Sequence, residues 1–261
     1  MLIAGVCLLS WCPDLLEAQI RRPPPIPVRP RRPPQDFFRL SLDVGVQATE
    51  RIFESNQTFP LYLETGSFKF DRTIRKPIIF GGGLAVRVHR RLYAGMAISV
   101  LNNTGNGAVT AQVPHPLLFN QMRTATGEVQ NITRFEAGEH FQVAWTVPSA
   151  YKLEFTVFGG PSLFITEQTY VTELALGLDR EIYPFDGFVF AGAGTDTFKG
   201  NIIGYNAGVD LTWRFSKNVG AGMLIRYAGG NKQFTPPGGT PFKVEAGGLH
   251  AMGGLRIIFQ K

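Results

Sequence analysis

The sequence predicts an all-β fold: an eight-stranded antiparallel up-and-down β-barrel over residues 36–261, preceded by an export signal and a proline-rich linker. Three observations predict it. Eight segments alternate apolar and polar residues, which is the period of a β-strand. The connections between these segments alternate strictly between short and long. No internal stretch approaches the ~20 consecutive apolar residues of a transmembrane helix.

The N-terminus has the pattern of a signal peptide. Leu2–Trp11 is a ten-residue apolar run, long enough for the hydrophobic region of such a peptide and too short to span a membrane as a helix. We therefore expect a signal peptide over residues 1–18, cleaved after Ala18. Both cysteines, Cys7 and Cys12, lie inside it. The processed chain then has neither a disulfide scaffold nor a cysteine-based metal or catalytic site.

Residues 19–35 form a linker rich in proline and arginine, which favours an extended polyproline II spacer. Part of the net charge of +6 lies here. The linker is interpreted as a solvated periplasmic tether. The alternative is a basic arm that contacts anionic lipid headgroups, cell-wall polymer or another protein. Export argues against nucleic acid as a partner.

The segment from Ile203 to Phe215 shows the alternation most clearly. Its odd-numbered residues are apolar, and its even-numbered residues are polar or glycine. A strand with this pattern has two chemically different faces. The eight alternating segments are 38–46, 78–88, 92–100, 141–147, 151–165, 203–215, 219–227 and 249–259.

The connections differ in length in a regular way. Three short turns (89–91, 148–150 and 216–218) join pairs of segments. The four other connections are predicted as long loops, and they span residues 49–76, 103–137, 167–199 and 230–242. In an up-and-down barrel this order places every short turn at one rim and every long loop at the other. Outer-membrane barrels have this asymmetry.

The polar face carries charges of both signs, which can pair inside a narrow eight-stranded barrel. The predicted lumen charge network consists of Arg39, Asp43, Arg87, Lys152, Glu154, Asp210, Arg214, Arg226 and Arg256. Across the turn at 216–218 the register makes Asp210 and Arg226 diagonal neighbours, so we expect them to form a salt bridge.

The apolar face is nearly uncharged and has aromatic residues near the short turns. These are Trp145, Tyr151, Trp213, Phe215 and Phe259, a pattern typical of an interfacial girdle. The sequence thus predicts an eight-stranded antiparallel up-and-down transmembrane β-barrel whose apolar face meets lipid. The alternative is a soluble lipocalin-like barrel with the apolar face inward around one small ligand. It would enclose Trp145 and Trp213 and leaves the loop alternation unexplained.

The C-terminal strand resembles the assembly signal of outer-membrane barrels. Gly254, Ile257 and the aromatic Phe259 occupy its positions in Gly254–Phe259, although Met252 replaces a usual polar residue and two residues follow the aromatic. With the strand count, residues 36–261 resemble the small OmpA-like and OmpW-like outer-membrane barrels. The resemblance implies location in the cell outer membrane, contact with its lipid and lipopolysaccharide, insertion by the barrel-assembly machinery, and a monomer.

No catalytic, metal or cofactor site is predicted. The four histidines, His89, His115, His140 and His250, have no metal-binding spacing. His140 and His250 are interpreted as hydrogen-bonded structural groups in the lumen. The His-x-Ser pair of lipid-modifying small barrels is absent. We therefore expect a non-enzymatic structural or surface-interaction role carried by the long loops, with OmpW-like passage of small hydrophobic molecules as the alternative.

Overall fold

The computed structural model contains ten antiparallel β-strands. It describes residues 36–148, 152–177, 182–235 and 241–260. The predicted signal peptide, the linker and Tyr151 lie outside the described residues. The strands are β1 (Asp36–Gln47), β2 (Arg51–Leu61), β3 (Glu64–Ile74), β4 (Ile78–His89), β5 (Leu92–Pro114), β6 (Met122–Pro148), β7 (Leu153–Leu176), β8 (Phe190–Arg214), β9 (Val219–Phe234) and β10 (Phe242–Gln260).

Eight of the ten strands form a closed ring. β1 pairs with β4 on one side and with β10 on the other. From β4 the pairing continues through β5, β6, β7, β8 and β9 to β10. The predicted eight-stranded up-and-down architecture is confirmed. β2 and β3 form a hairpin outside this ring, and β3 pairs with the far part of β5.

The four long connections are not simply loops, so that part of the prediction is wrong. The first contains β2 and β3, and the others are largely continuations of the ring strands β5 to β10. The alternation persists in these regions. On the outward face, however, small residues, Thr and Asn replace the large apolar side chains that mark the ring strands. We call the described residues within the ranges 51–74, 102–132, 169–199 and 231–248 the extension.

Each ring strand turns its apolar face outward. Leu211 is 40% exposed, whereas its neighbour Thr212 on the inner face is 3% exposed. The charged residues Asp43, Arg226 and Arg256 are buried inside. This orientation is the reverse of a lipocalin-like barrel, so the soluble alternative is wrong about which face is enclosed. Among the described residues, no helix is long and apolar enough to cross a membrane.

The extension has the opposite distribution. Its interior is an apolar cluster that includes Phe53, Phe70, Tyr170 and Phe242. Phe53 contacts Phe70 and Phe242 edge-on, and Tyr170 contacts Phe242 in a tilted arrangement. Its outer surface is polar, with exposed residues such as Asn102, Thr104, Asn106, Thr124, Thr126 and Glu128. The extension is therefore organised like a water-soluble β-structure on top of a barrel that is polar inside and apolar outside.

Candidate functional site

The interior next to the short turns contains two cations and two carboxylates. Arg39 Nη2 lies 2.7 Å from Asp36 Oδ2 and 3.0 Å from Glu154 Oε2. Arg214 Nη2 lies 2.5 Å from Glu154 Oε1 and also binds Asp36. The structure thus joins three predicted residues with Asp36. The sequence interpretation missed Asp36 because it precedes the first alternating segment.

Tyr93 extends this group toward Arg87. The Arg39 guanidinium lies 4.5 Å from the centre of the Tyr93 ring, and the Arg87 guanidinium lies 5.9 Å from it. Lys152, in contrast, is wrongly predicted as a lumen residue. It is exposed in the turn before β7, where its φ of 72° ends the alternation that would have turned it inward.

Farther along the lumen, Arg256 binds two carboxylates. Its Nη1 donates to Asp43 Oδ1 at 2.6 Å, and its Nε donates to Asp210 Oδ2 at 3.0 Å. Thr212 Oγ1 also donates to Asp210, at 2.6 Å. Asp43 and Arg256 are buried and Asp210 is partly buried, so charge-assisted hydrogen bonds replace much of the water around these charges.

The predicted salt bridge between Asp210 and Arg226 is wrong, although the predicted register is confirmed. Asp210 faces Leu224 and Gly208 faces Arg226 across β8 and β9. Arg226 nevertheless points to His250, whose Nδ1 accepts from Arg226 Nε at 3.4 Å. Asp210 is bound by Arg256 from β10 instead. Strand-neighbour reasoning cannot identify a partner two strands away.

His140 is the centre of a neutral network. Its Nε2 lies 2.9 Å from Ser99 Oγ, and its Nδ1 lies 2.8 Å from Ser162 Oγ. Ser162 also accepts from Asn206 Nδ2 at 2.9 Å. His140 and His250 both face inward and are fully buried, as the sequence interpretation expected. The arrangement links four consecutive strands, β5 to β8, along the inner wall of the barrel.

A second layer of charges lies where the barrel meets the extension. Arg134 Nη2 donates to Glu136 Oε2 at 2.9 Å, and Glu136 Oε1 accepts from the Gly247 backbone at 2.7 Å. Arg51 lies 2.5 Å from Glu245. Arg51, Arg134 and Glu136 were missed because residues 49–76 and 103–137 were predicted as loops, and Glu245 was missed because it precedes the last alternating segment. The alternation around Arg134 and Glu136, in phase with the strand that follows, was the available signal.

Arg72 on β3 is a buried cation in the extension. Its Nη2 donates to Asn103 Oδ1 at 2.7 Å. Burial, and then the like charge of Arg134, lower the pKa of Arg72 to about 10. The neutral amide partner does not offset these effects, because only an opposite charge would favour the protonated form strongly.

A cavity of about 100 Å³ lies in the described lumen. Arg256, Arg226 and Gln142 line its polar part, while Phe158 and Leu224 line its apolar part. Small-molecule sites are usually ~300–1,000 Å³. The cavity can therefore hold a few waters but not a typical ligand. Within the described ranges, no group of three or more His, Cys, Asp or Glu side chains could hold a metal ion.

The described aromatic residues of the predicted girdle lie on the exterior. Trp145, Trp213, Phe215 and Phe259 are all about half exposed. The Trp213 and Phe215 rings are 5.2 Å apart, and Phe259 contacts Phe38 at 5.5 Å. Each lies near the short-turn end of its strand. An interfacial girdle formed by these side chains stays a prediction.

The residues of the predicted C-terminal assembly signal occupy two faces of β10. Ile257 and Phe259 point outward, whereas Gly254 lies on the inner face beside Asp43. A Cβ at position 254 would lie 1.8 Å from the Leu42 backbone oxygen. Glycine is therefore required there by packing of β10 against β1. Recognition of this segment during assembly stays a prediction.

Comparisons with known proteins give likeness in fold only. No family model and no curated protein matches the chain. The chain is similar to the crystal structure of the outer membrane protein OprG from Pseudomonas aeruginosa, at TM-score 0.49 and 8% identity over 87% of this chain and 98% of that one.

Two further solved structures are similar to the chain. Neisserial surface protein A (NspA) has a TM-score of 0.41 and 11% identity, over 85% of this chain and 97% of that one. The outer membrane protease OmpT from Escherichia coli has a TM-score of 0.43 and 10% identity, over 86% and 97% of the two chains.

Proposed function

We propose that the chain is an integral outer-membrane β-barrel protein with a non-enzymatic, surface-interaction role. The single observation that carries the proposal is the apolar exterior of the closed ring. Large side chains such as Val143, Ile225 and Leu255 are exposed all round it, while the charges are buried inside. A soluble monomer rarely exposes an apolar patch above a few hundred Å². Contact with lipid removes the free-energy cost of exposing this apolar surface to water.

The dimensions of the ring support membrane insertion. β1 has twelve residues, which at ~3.3 Å each extend roughly 40 Å along the strand. With a tilt of ~40° the ring is about 30 Å high, close to the thickness of a hydrocarbon core. Trp145, Trp213 and Phe215 lie at its short-turn rim, the level at which aromatic residues contact lipid headgroups.

The packed interior favours a surface role over transport or catalysis. Paired charges and the His140 network fill the lumen, and the cavity of about 100 Å³ is below the size of ordinary ligand sites. Passage of small hydrophobic molecules has no comparable support. His140 is hydrogen-bonded to two serines, but all three side chains are buried from solvent. A substrate therefore cannot reach them without opening the barrel.

The proposed partners follow from the same surface. The apolar exterior contacts outer-membrane lipid and lipopolysaccharide, and the barrel-assembly machinery inserts the chain after export. A closed ring has no free strand edge within the apolar belt, which favours a monomer. The extension then stands in water beyond the membrane, where its loops are available for interaction.

Electrophoretic mobility tests this proposal. The full chain is expressed in a Gram-negative host, and the outer membrane is extracted in detergent. We expect a band in SDS that shifts in mobility after boiling, because a closed barrel resists unfolding by SDS. Recovery of the protein in the soluble periplasmic fraction would contradict the proposal. So would equal mobility of boiled and unboiled samples, once the unboiled protein has been verified as folded.

A further inference from the structure

Three turns meet at the end of the extension farthest from the barrel. They are the β2–β3 turn at Tyr62–Leu63, the β5–β6 turn over residues 115–121, and the segment 182–189 that leads to β8. The Asn120 backbone amide donates to Glu64 Oε1 at 2.8 Å, which joins the first two. Segments from separate parts of the chain therefore form one surface.

His115 joins the second turn to the third. It is 3% exposed, and its Nδ1 accepts from the Leu117 and Leu118 backbone amides at 3.1 Å each. Its Nε2 lies 3.3 Å from the Pro184 backbone oxygen. Because Nδ1 accepts hydrogen bonds, Nε2 carries the ring proton and donates to Pro184. A buried side chain thus fixes the relative positions of two turns whose own side chains point outward.

The outward side chains at this end are large and apolar. We call them the tip cluster: Leu63, Leu117, Leu118, Phe119, Ile182 and Tyr183. Leu63 is fully exposed, Ile182 is 82% exposed and Phe119 is 75% exposed. Isolated exposed apolar residues are common on protein surfaces. Six on three connected turns are a patch that needs an explanation.

The backbone of the β2–β3 turn is strained at the two residues that place large side chains at this end. Leu61 pairs with Glu64, so the turn has two residues, and both Tyr62 and Leu63 have positive φ (51° and 64°). Such turns favour Asn-Gly, because bulky residues are strained at positive φ. The sequence thus retains two large side chains where polar, unstrained residues would give a more stable hairpin. Strain of this kind points to a functional surface.

A polar collar separates the tip cluster from the apolar belt of the barrel. Residues 102–112 of β5 expose Asn, Thr and Gln side chains along about ten residues, or roughly 30 Å of strand. The tip cluster therefore cannot share the membrane that holds the barrel. The tip cluster and residues 115–122 contain no Lys, Arg, Asp or Glu, whereas the segment 182–189 contains one charged residue, Asp186, and Glu64 follows Leu63.

We propose that the tip cluster inserts into a second phospholipid bilayer, apposed to the membrane that holds the barrel. This inference rests on the proposed membrane barrel. Aliphatic and aromatic side chains on projecting turns are the groups that enter a bilayer interface. Protein-binding hot spots instead favour Trp, Tyr and Arg within a polar rim. Because the cluster has no cationic side chain, zwitterionic lipid is sufficient and binding does not depend on anionic lipid.

Vesicle flotation tests the inference. The full protein is embedded in nanodiscs, whose lipid covers the barrel belt, and is mixed with phosphatidylcholine vesicles. We expect the nanodiscs to float with the vesicles, with little change when anionic lipid or salt is added. Removing one inserted side chain, as in Phe119→Asn or Ile182→Asn, should lower the partition coefficient about tenfold.

Two further variants separate lipid contact from folding. Tyr62→Asn with Leu63→Gly suits the turn better, so it should raise the thermal stability of the protein while lowering vesicle binding at least tenfold. Thr126→Asn, on the polar outer surface of the extension opposite Thr110, is the matched control and should bind as the unchanged protein does.

The outcomes distinguish the failure of this inference from the failure of the proposed membrane barrel on which it rests. Failure to enter nanodiscs would overturn both. Entry without flotation, or flotation that the tip variants leave unchanged, would overturn only the bilayer contact. Association of nanodiscs with one another in the absence of vesicles would identify a second copy of the chain as the occupant and would also overturn it.

Discussion

Gly222 determines how the buried charges of the barrel pair. It lies on the inner face of β9, and a Cβ there would be 2.5 Å from Cζ and Nε of Arg256. Without a side chain at this position, Arg256 crosses β9 from β10 and reaches Asp210 on β8. The alternation in the sequence predicted which charges face inward, because period and face are local properties. Their partners depend on which neighbouring positions lack side chains.

Gly222→Ala should therefore lower the free energy of unfolding by about 1–3 kcal/mol, the usual cost of overpacking. Gly253→Ala is the matched control, because its nearest neighbour is the Gly222 oxygen at 3.8 Å. It should be neutral or slightly stabilising. Urea titration of both variants in lipid vesicles measures the difference. Equal effects would show that Arg256 does not lie over Gly222.

Arg256→Gln should be more severe, because it leaves the buried Asp43 and the partly buried Asp210 without their cation. Breaking a buried ion pair costs ~3–5 kcal/mol. The double variant Arg256→Gln with Asp210→Asn should lose less stability than the sum of the single variants. The same titration in lipid vesicles tests this. Small and additive losses would mean that each charge is separately hydrated, contrary to the packed lumen.

Among the strands, the ring and the extension differ in how well the sequence predicts them. In the ring, the faces of the strands and the places of the short turns near 89–91 and 216–218 were predicted correctly, because large apolar residues alternate with polar ones against two different environments. The predicted turn at 148–150 lies largely outside the described residues. In β5 beyond Leu101 the inward residues include Gly107 and Ala111, and the outward ones are Thr and Asn. This weaker contrast resembles a loop. Only pairing with β3 and β6 shows that the region is a sheet.

The β2–β3 hairpin should be dispensable for the ring. The Gln47 backbone amide donates to the Pro77 backbone oxygen at 3.0 Å. β1 and β4 are therefore already adjacent at the point where the hairpin branches from the ring. Replacing residues 49–75 by a short Gly-Ser linker should keep the mobility shift on boiling. It should also speed protease cleavage of residues 103–132, because the contacts of Phe53 and Phe70 with the apolar cluster are lost. Loss of the mobility shift would contradict this division.

The described part of the chain has three zones along the barrel axis. The first is an apolar belt around a charged interior, the second is a polar collar around an apolar interior, and the third is the exposed tip cluster. The inversion between the first two zones is what a membrane boundary requires, because lipid and water select opposite exteriors. The sequence predicted the belt from eight similar segments. The collar and tips depend on the extension and emerged only from the fold.

Tryptophan depth tests the lipid-facing exterior most directly. The chain has three tryptophans, and the predicted signal peptide contains Trp11, so Trp145 and Trp213 alone report after processing. Both lie on the exterior near the short turns. In vesicles of brominated phospholipid, we expect strong quenching by bromines near the headgroups, weaker quenching by bromines at the bilayer centre, and poor access for iodide from water. Free access for iodide with no quenching by either lipid would contradict the account.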